Sequence, residues 1–465
     1  MSDIQQTKSG GQSRLMFITI YLISISVAII WFSVPPMLSG GILLHAYFPG
    51  AQGAAIGQAM GQLGHAMSFI SMGALAAAVL ATFITRAIGV KKSIICGGIL
   101  VTIAGFGSAL SGDNILLLLG MRIVMGFGIG LVAVNSPTAI TGWVSAKNRA
   151  FTIGFWGTWV PVGMLITTNA IVNPMAAGDL AHSNPHTIWI VQSVIVFVCL
   201  LLIVFVYKDP PRGQTEISSE AKPLKEVLPL FKQHQVWMVL IAWCAFNYIN
   251  YGLSTYNAVF FAGGFGPEMF TGASANTWGS IVNAMGILAP LFGLISDRIN
   301  RNRKYLLISL GVLFLTLSGV VGFKTQFLGL SGWPLFMIYF MVQLLGNAIL
   351  VATVRPYIPL LVGRGGITAI SLGLSLITIL QYGGQMFSPL FFGLIQTNGG
   401  ILPRSAGQPI GNLSGWASAT WTGLVIPGII AFICCFFIKP TPHPHSEHGG
   451  PHAYGKHEGP HGDGH

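Results

Sequence analysis

"SDRINRNRK", Ser296 to Lys304, sets Arg298, Arg301, Arg303 and Lys304 beside a single acid, Asp297, between two stretches that carry almost no charge. The stretch before it, Thr277–Ile295, and the one after it, Tyr305–Phe323, each approach the ~20 apolar residues that cross a bilayer. A cationic knot between two such runs reads as a short hairpin at a membrane surface.

Composition extends that reading to the whole chain. Of 465 residues, 52% are hydrophobic and 8% charged, against about 25% charged in a soluble domain. Twelve runs are long enough to be candidate spans. They are helix 1 (Leu15–Pro36), helix 2 (Gly57–Ile84), helix 3 (Ser93–Leu110), helix 4 (Ile115–Pro137), helix 5 (Ala150–Ile171) and helix 6 (Thr187–Tyr207), followed by helix 7 (Val236–Phe261), helix 8 (Thr277–Ile295), helix 9 (Tyr305–Phe323), helix 10 (Pro334–Val354), helix 11 (Ile367–Ile395) and helix 12 (Trp416–Ile438). The sequence predicts an all-α membrane protein. Residues 1–14 form a cytoplasmic lead-in, 15–207 and 236–438 two six-helix bundles, 208–235 a central cytoplasmic loop, and 439–465 a His-rich disordered cytoplasmic tail. The basic lead-in "KSGGQSR" resembles the start of a signal peptide, but the run after it is too long for one, so helix 1 is expected to be retained.

An even number of spans returns both termini to one side, and the excess of Lys and Arg in cytoplasmic loops says which. With the N-terminus inside, all 23 Lys and Arg residues fall in cytoplasmic segments except Lys324 and Arg404, which fall outside, and Arg122, which falls within helix 4. The net charge of +11 therefore belongs to loops lying on an anionic inner leaflet, as in a bacterial inner membrane, rather than to a nucleic-acid surface. Cys96, Cys199, Cys244, Cys434 and Cys435 all lie in expected helices as small apolar residues, so no disulfide framework is expected.

The hairpin has a counterpart. "TRAIGVKK" (Thr85 to Lys92) joins helices 2 and 3 as "DRINRNRK" (Asp297 to Lys304) joins helices 8 and 9, each with Arg second and two basic residues last. A six-helix unit used twice around a central loop, with Gly293, Asp297 and Arg298 in a Gly-x-x-x-Asp-Arg hairpin, resembles the major facilitator superfamily of secondary transporters. "RIVMGFGIG" (Arg122 to Gly130) resembles that family's helix-4 motif and "GTWVPVG" (Gly157 to Gly163) its helix-5 bending motif. The first hairpin departs from the pattern, with Ala81 for the glycine and Thr85 for the acid. The resemblance implies two bundles rocking about a midplane site, with helices 1, 4, 7 and 10 lining the cavity.

Substrate chemistry has to come from polar groups that a membrane otherwise rejects. All twelve acidic residues lie outside the expected spans, so no buried carboxylate offers a proton relay or a counter-ion for a cationic solute. Arg122, permanently charged and deep in helix 4, is suited to receive an anionic solute such as a carboxylate. The same arginine is equally suited to helix packing. In helix 7, Asn247, Asn250, Ser254 and Asn257 recur on one face with Tyr251 beside them, and Gln343 and Asn347 stand one turn apart on helix 10. These residues form an expected binding wall or, alternatively, interhelical glue. Gln58, Gln62 and His65 share a face of helix 2, and His65 is the candidate for coupling transport to protons.

The tail carries His443, His445, His448 and His452 among its histidines, a composition that can chelate divalent metal. The expectation is a secondary transporter moving a small organic solute, anionic by preference, with no cofactor. The alternatives are an exporter of neutral or hydrophobic compounds and, from another class, a metal-responsive membrane sensor using the tail. An enzyme is not expected, since no nucleophile, base and acid converge in the spans.

Overall fold

The computed structural model describes residues 2–52, 54–144, 152–176, 183–209, 224–265, 269–299, 304–362, 366–399 and 420–438. Among them nine helices are long and apolar enough to cross a membrane: Gly11–Ser39, Ala55–Ala81, Val90–Ala109, Ile115–Thr141, Thr152–Met175, Pro185–Phe205, His234–Ala262, Gly272–Ser296 and Gly332–Arg355. These are helices 1 to 8 and 10. The shorter apolar helices Tyr305–Val321 and Gly423–Phe436 fall on helices 9 and 12, and the 34-residue helix Gly366–Gly399 on helix 11. A small antiparallel hairpin, β1 (Gln326–Phe327) with β2 (Leu330–Ser331), joins helices 9 and 10.

Helix 4 packs between helices 2 and 3, helix 6 on helices 1 and 3, helix 10 on helix 9, and helix 7 on helices 11 and 12. The two halves meet along helices 2 and 11, and where helices 1 and 5 approach helices 7 and 8. Ser13 Oγ donates to the Trp143 carbonyl at 2.6 Å, and the Lys208 amide reaches Met16 Sδ at 3.2 Å. The start of helix 1 therefore shares one end of the molecule, here the proximal end, with the ends of helices 4 and 6.

Helix 1 departs from its expected bounds at both ends. It is helical from Ser2, so the lead-in continues the helix beyond the apolar run. At the other end the α-helix stops at Trp31 and resumes as the short helix Val34–Ser39. Pro35 and Pro36 have no N–H to give the preceding turn, which breaks the ladder there. Side chains take over the carbonyls beside the break, with Thr167 Oγ1 donating to Ile29 O at 2.6 Å and Ser33 Oγ to Ile30 O at 2.9 Å. Helix 10 also runs on, to Val362. The dipeptide Arg355-Pro356 looked like its end, yet a membrane helix tolerates proline where neighbours satisfy the freed groups.

Candidate functional site

Arg122 owes its position to the glycines that follow it. A Cβ on Gly126 would run into the Ile70 carbonyl of helix 2, and one on Gly128 into the Gly97 carbonyl of helix 3. Only bare backbone lets helix 4 seat this deeply, and the seating carries Arg122 into the protein with 0% exposure. Its guanidinium lies 4.9 Å over the Trp189 ring of helix 6. One nitrogen, Nη1, reaches Ile30 O and Ser33 Oγ at the helix-1 break, each at 3.4 Å, and these are long bonds. Nε and Nη2 are buried with no hydrogen-bond partner. A buried cation with open donors costs several kcal/mol, and among the described residues no acid pairs with Arg122 to offset that cost.

The helix-1 break also anchors an aromatic junction between the halves. Trp31 Nε1 donates to Tyr251 OH at 2.8 Å, and Tyr251 OH donates to Met67 O of helix 2 at 3.2 Å. Ring centroids of Trp159 and Tyr382 stand 6.1 and 6.2 Å from that of Trp31. Tyr251, an expected site residue, thus bridges helix 7 to the N-terminal half.

Beyond the junction, the distal end is closed by neutral side chains. Asn276 of helix 8 donates to Pro36 O at 3.1 Å and to Asn173 Oδ1 at 3.2 Å, and accepts from Ser39. Asn169 of helix 5 donates to Ser280 Oγ at 3.2 Å and accepts from Thr277 Oγ1 at 2.8 Å. Under this seal lies a cavity of ≈ 20 Å³ lined by Phe32, Met164, Ser254 and Ala258 among others, room for about one water.

The family model described as Major Facilitator Superfamily matches residues 16–321. The chain belongs to the major facilitator superfamily. Solved superfamily folds cover it almost whole. The xylose transporter XylE from E. coli aligns at 16% identity over 91% of this chain and 98% of its own, with a TM-score of 0.62. A bacterial homologue of the human lysosomal transporter Spinster aligns at 14% identity over 93% and 99%, with a TM-score of 0.66. Among curated proteins, a probable sulfoacetate transporter, SauU, of Cupriavidus necator is 26% identical over 174 residues, which is 37% of this chain and 38% of that protein. Membership places the chain in a superfamily of transporters rather than of enzymes.

The helix-7 amides are engaged within the C-terminal half. Asn247 accepts from Gln385 Nε2 at 3.1 Å, and Asn250 accepts from Gln343 Nε2 at 3.1 Å. Asn257 donates to Asn283 Oδ1 and accepts from Tyr339 OH, both at 2.8 Å. Ser254 and Asn347 each donate to a carbonyl of their own helix. The structure therefore brings Asn250 and Gln343 together and ties the stripe to helices 8, 10 and 11. Arg122 stands apart from it, beyond the helix-1 break. Gln343 Oε1 and Gln385 Oε1 are buried with no partner.

His65 is half-buried on the stripe of helix 2 that carries the exposed Gln58 and Met72, while Met67 and Ser71 are buried on the other side. Its Nε2 has no partner. In the hairpin motif, Arg298 is exposed and Gly293 has open space beside it, and the side chain of Asp297 lies outside the described residues. In the first copy, Thr85 takes the acid's place with a neutral bond, donating to Asn135 Oδ1 of helix 4 at 2.7 Å. His443, His445, His448 and His452 lie outside the described residues, and among the described residues no group of three His, Cys, Asp or Glu could hold a metal.

Arg355, expected one residue past the end of helix 10, lies within it, because the helix continues to Val362. It projects from within helix 10, half-buried, 5.7 Å over the Trp243 ring, with Nη2 donating to Gln381 Oε1 at 2.7 Å.

Proposed function

We propose that this transporter carries a small organic anion bearing a sulfonate or carboxylate, by alternating access across a bacterial inner membrane, with both termini in the cytoplasm. The observation that carries the proposal is Arg122, fully buried, with two guanidinium nitrogens unpartnered and all twelve acids of the chain outside the expected spans. A guanidinium fork matches an oxyanion in two parallel bonds. The name of the Cupriavidus relative, a probable sulfoacetate transporter, fits this chemistry. The positive-inside distribution supports the orientation, and it makes the closed distal end the extracytoplasmic one.

The arrangement also supports a coupling route. An anion held by Nε and Nη2 draws the guanidinium toward itself and away from Ile30 O and Ser33 Oγ, whose long bonds to Nη1 are cheaply lost. Loading thus frees the helix-1 break. Pro36 and Ser39, just beyond that break, are the residues that hold Asn276 in the distal seal.

One observation favours the second reading, export of neutral compounds: the junction of Trp31, Trp159, Tyr251 and Tyr382 offers an uncharged aromatic wall. Proteoliposome counterflow separates the two. Labelled sulfoacetate should exchange, with short sulfonates and carboxylates competing and xylose and nucleosides not. Competition by neutral solutes alone overturns the anion proposal.

A further inference from the structure

We propose that Arg355 is a second anion-binding point, separate from Arg122 and close to the proximal mouth, at which the carried anion docks on its way to or from the buried site. This rests on the anion reading above and goes beyond it in assigning a second station.

Both arginines stand on helices that start at the distal end. Helix 4 ends at the proximal Trp143 contact, and helix 10 begins where Trp333 meets Phe270 and Trp278. Arg122 comes early in the helix that starts at Ile115, and Arg355 comes late in the helix that starts at Gly332. At 1.5 Å of rise per residue Arg122 lies about 10 Å along its helix from the distal start and Arg355 about 34 Å along its own. One small anion cannot touch both, so they form consecutive stations and not a clamp.

The surroundings of Arg355 suit a ligand. Gln381 engages only one of its five N–H donors and fixes the plane of the guanidinium over Trp243. Among the described residues no carboxylate pairs with it. Tyr382 is the titratable group that acts on it electrostatically, and the Tyr382 ring continues to Trp31 at the junction. A second donor, buried and unsatisfied, lies in the indole under it. Trp243 is 3% exposed and its Nε1 has no hydrogen-bond partner, so a ligand oxygen or a water has to satisfy it. A half-buried cation beside an open indole N–H, in surroundings less polarisable than water, attracts an oxyanion more strongly than a surface arginine does.

The test uses the purified full-length protein, titrated with sulfoacetate while tryptophan fluorescence is recorded, for wild type and for Arg122→Gln, Arg355→Gln, Arg355→Lys and Trp243→Phe. Two binding phases are expected in wild type. Arg355→Gln should weaken one of them at least tenfold and spare the other, Arg355→Lys should restore part of it, and Trp243→Phe should remove that phase's signal. Arg122→Gln should abolish only the complementary phase. If Arg355→Gln and Arg355→Lys both retain the two phases, or if Arg122→Gln abolishes both, Arg355 is no independent station and the inference falls while the anion reading stands. If sulfoacetate produces no phase in wild type, the anion reading falls and takes this inference with it.

Discussion

Replacing Asn276 by alanine should open the distal end. Asn276 is 1% exposed and makes three bonds across the seal, two as donor to Pro36 O and Asn173 Oδ1 and one as acceptor from Ser39 Oγ. Each such bond is worth about 0.5–1.5 kcal/mol net. Asn173 keeps its bonds to Thr277 and the Ala273 carbonyl, and water can enter to serve Pro36 O, so about 2 kcal/mol is the expected loss from the three. That energy exists only while the distal end is closed. At about 1.4 kcal/mol per factor of ten, the population with an open distal end should rise about 30-fold. Ala258, which lines the cavity beneath the seal, is the reporter position. With the five native cysteines replaced, Ala258→Cys should react with a membrane-impermeant maleimide about 30 times faster in the Asn276→Ala background. A change of less than twofold refutes the reasoning. So does an equal acceleration at a Thr353→Cys reporter near the proximal end of helix 10, which would mean general loosening.

Four further outcomes follow from packing and composition. Gly126→Ala should destabilise the purified protein by about 1–3 kcal/mol, because its Cβ meets the Ile70 carbonyl. Gly293→Ala, with nothing within 4 Å of the new atom, should leave the melting temperature unchanged or slightly raised. Thr85→Val should cost about 1 kcal/mol through the lost bond to Asn135, read by denaturation in detergent. Deleting residues 440–465 should leave uptake of the carried solute intact in proteoliposomes, whereas the sensor alternative requires loss of function.

The fold was legible because its signals are strong and local. Apolar runs of membrane length and basic knots between them require no knowledge of tertiary contacts, and among the described residues helix falls on each of the expected runs. Helix ends were less legible where proline intervened. Pro35 and Pro36, two prolines in succession, interrupt helix 1 after Trp31, whereas helix 10 passes through the single Pro356 and runs to Val362. The expected end of helix 10 therefore fell short of Arg355, which the helix includes. Face assignments beyond one helix were harder still. The helix-7 asparagines repeat with the period of a lining, but their partners, Asn283, Tyr339, Gln343 and Gln385, come from three other helices and were invisible from helix 7 alone. His65 shares a polar face with Gln58 and Gln62, and periodicity reports that a face exists without reporting which way it turns. Arg122 was legible as an isolated charge. Its setting, a broken helix on one side and an indole on the other, was not.

The most direct measurement is the thermal stability of the purified protein with small metabolites grouped by charge, for wild type and Arg122→Gln. A ligand of the folded state present at 100 times its dissociation constant adds about 2.7 kcal/mol. The account expects sulfonates and carboxylates to raise the wild-type midpoint, and expects Arg122→Gln to melt at or above the ligand-free wild type, relieved of an unpaired buried charge, while showing no anion shift. Stabilisation by neutral solutes alone, or an undiminished anion shift in Arg122→Gln, would contradict it.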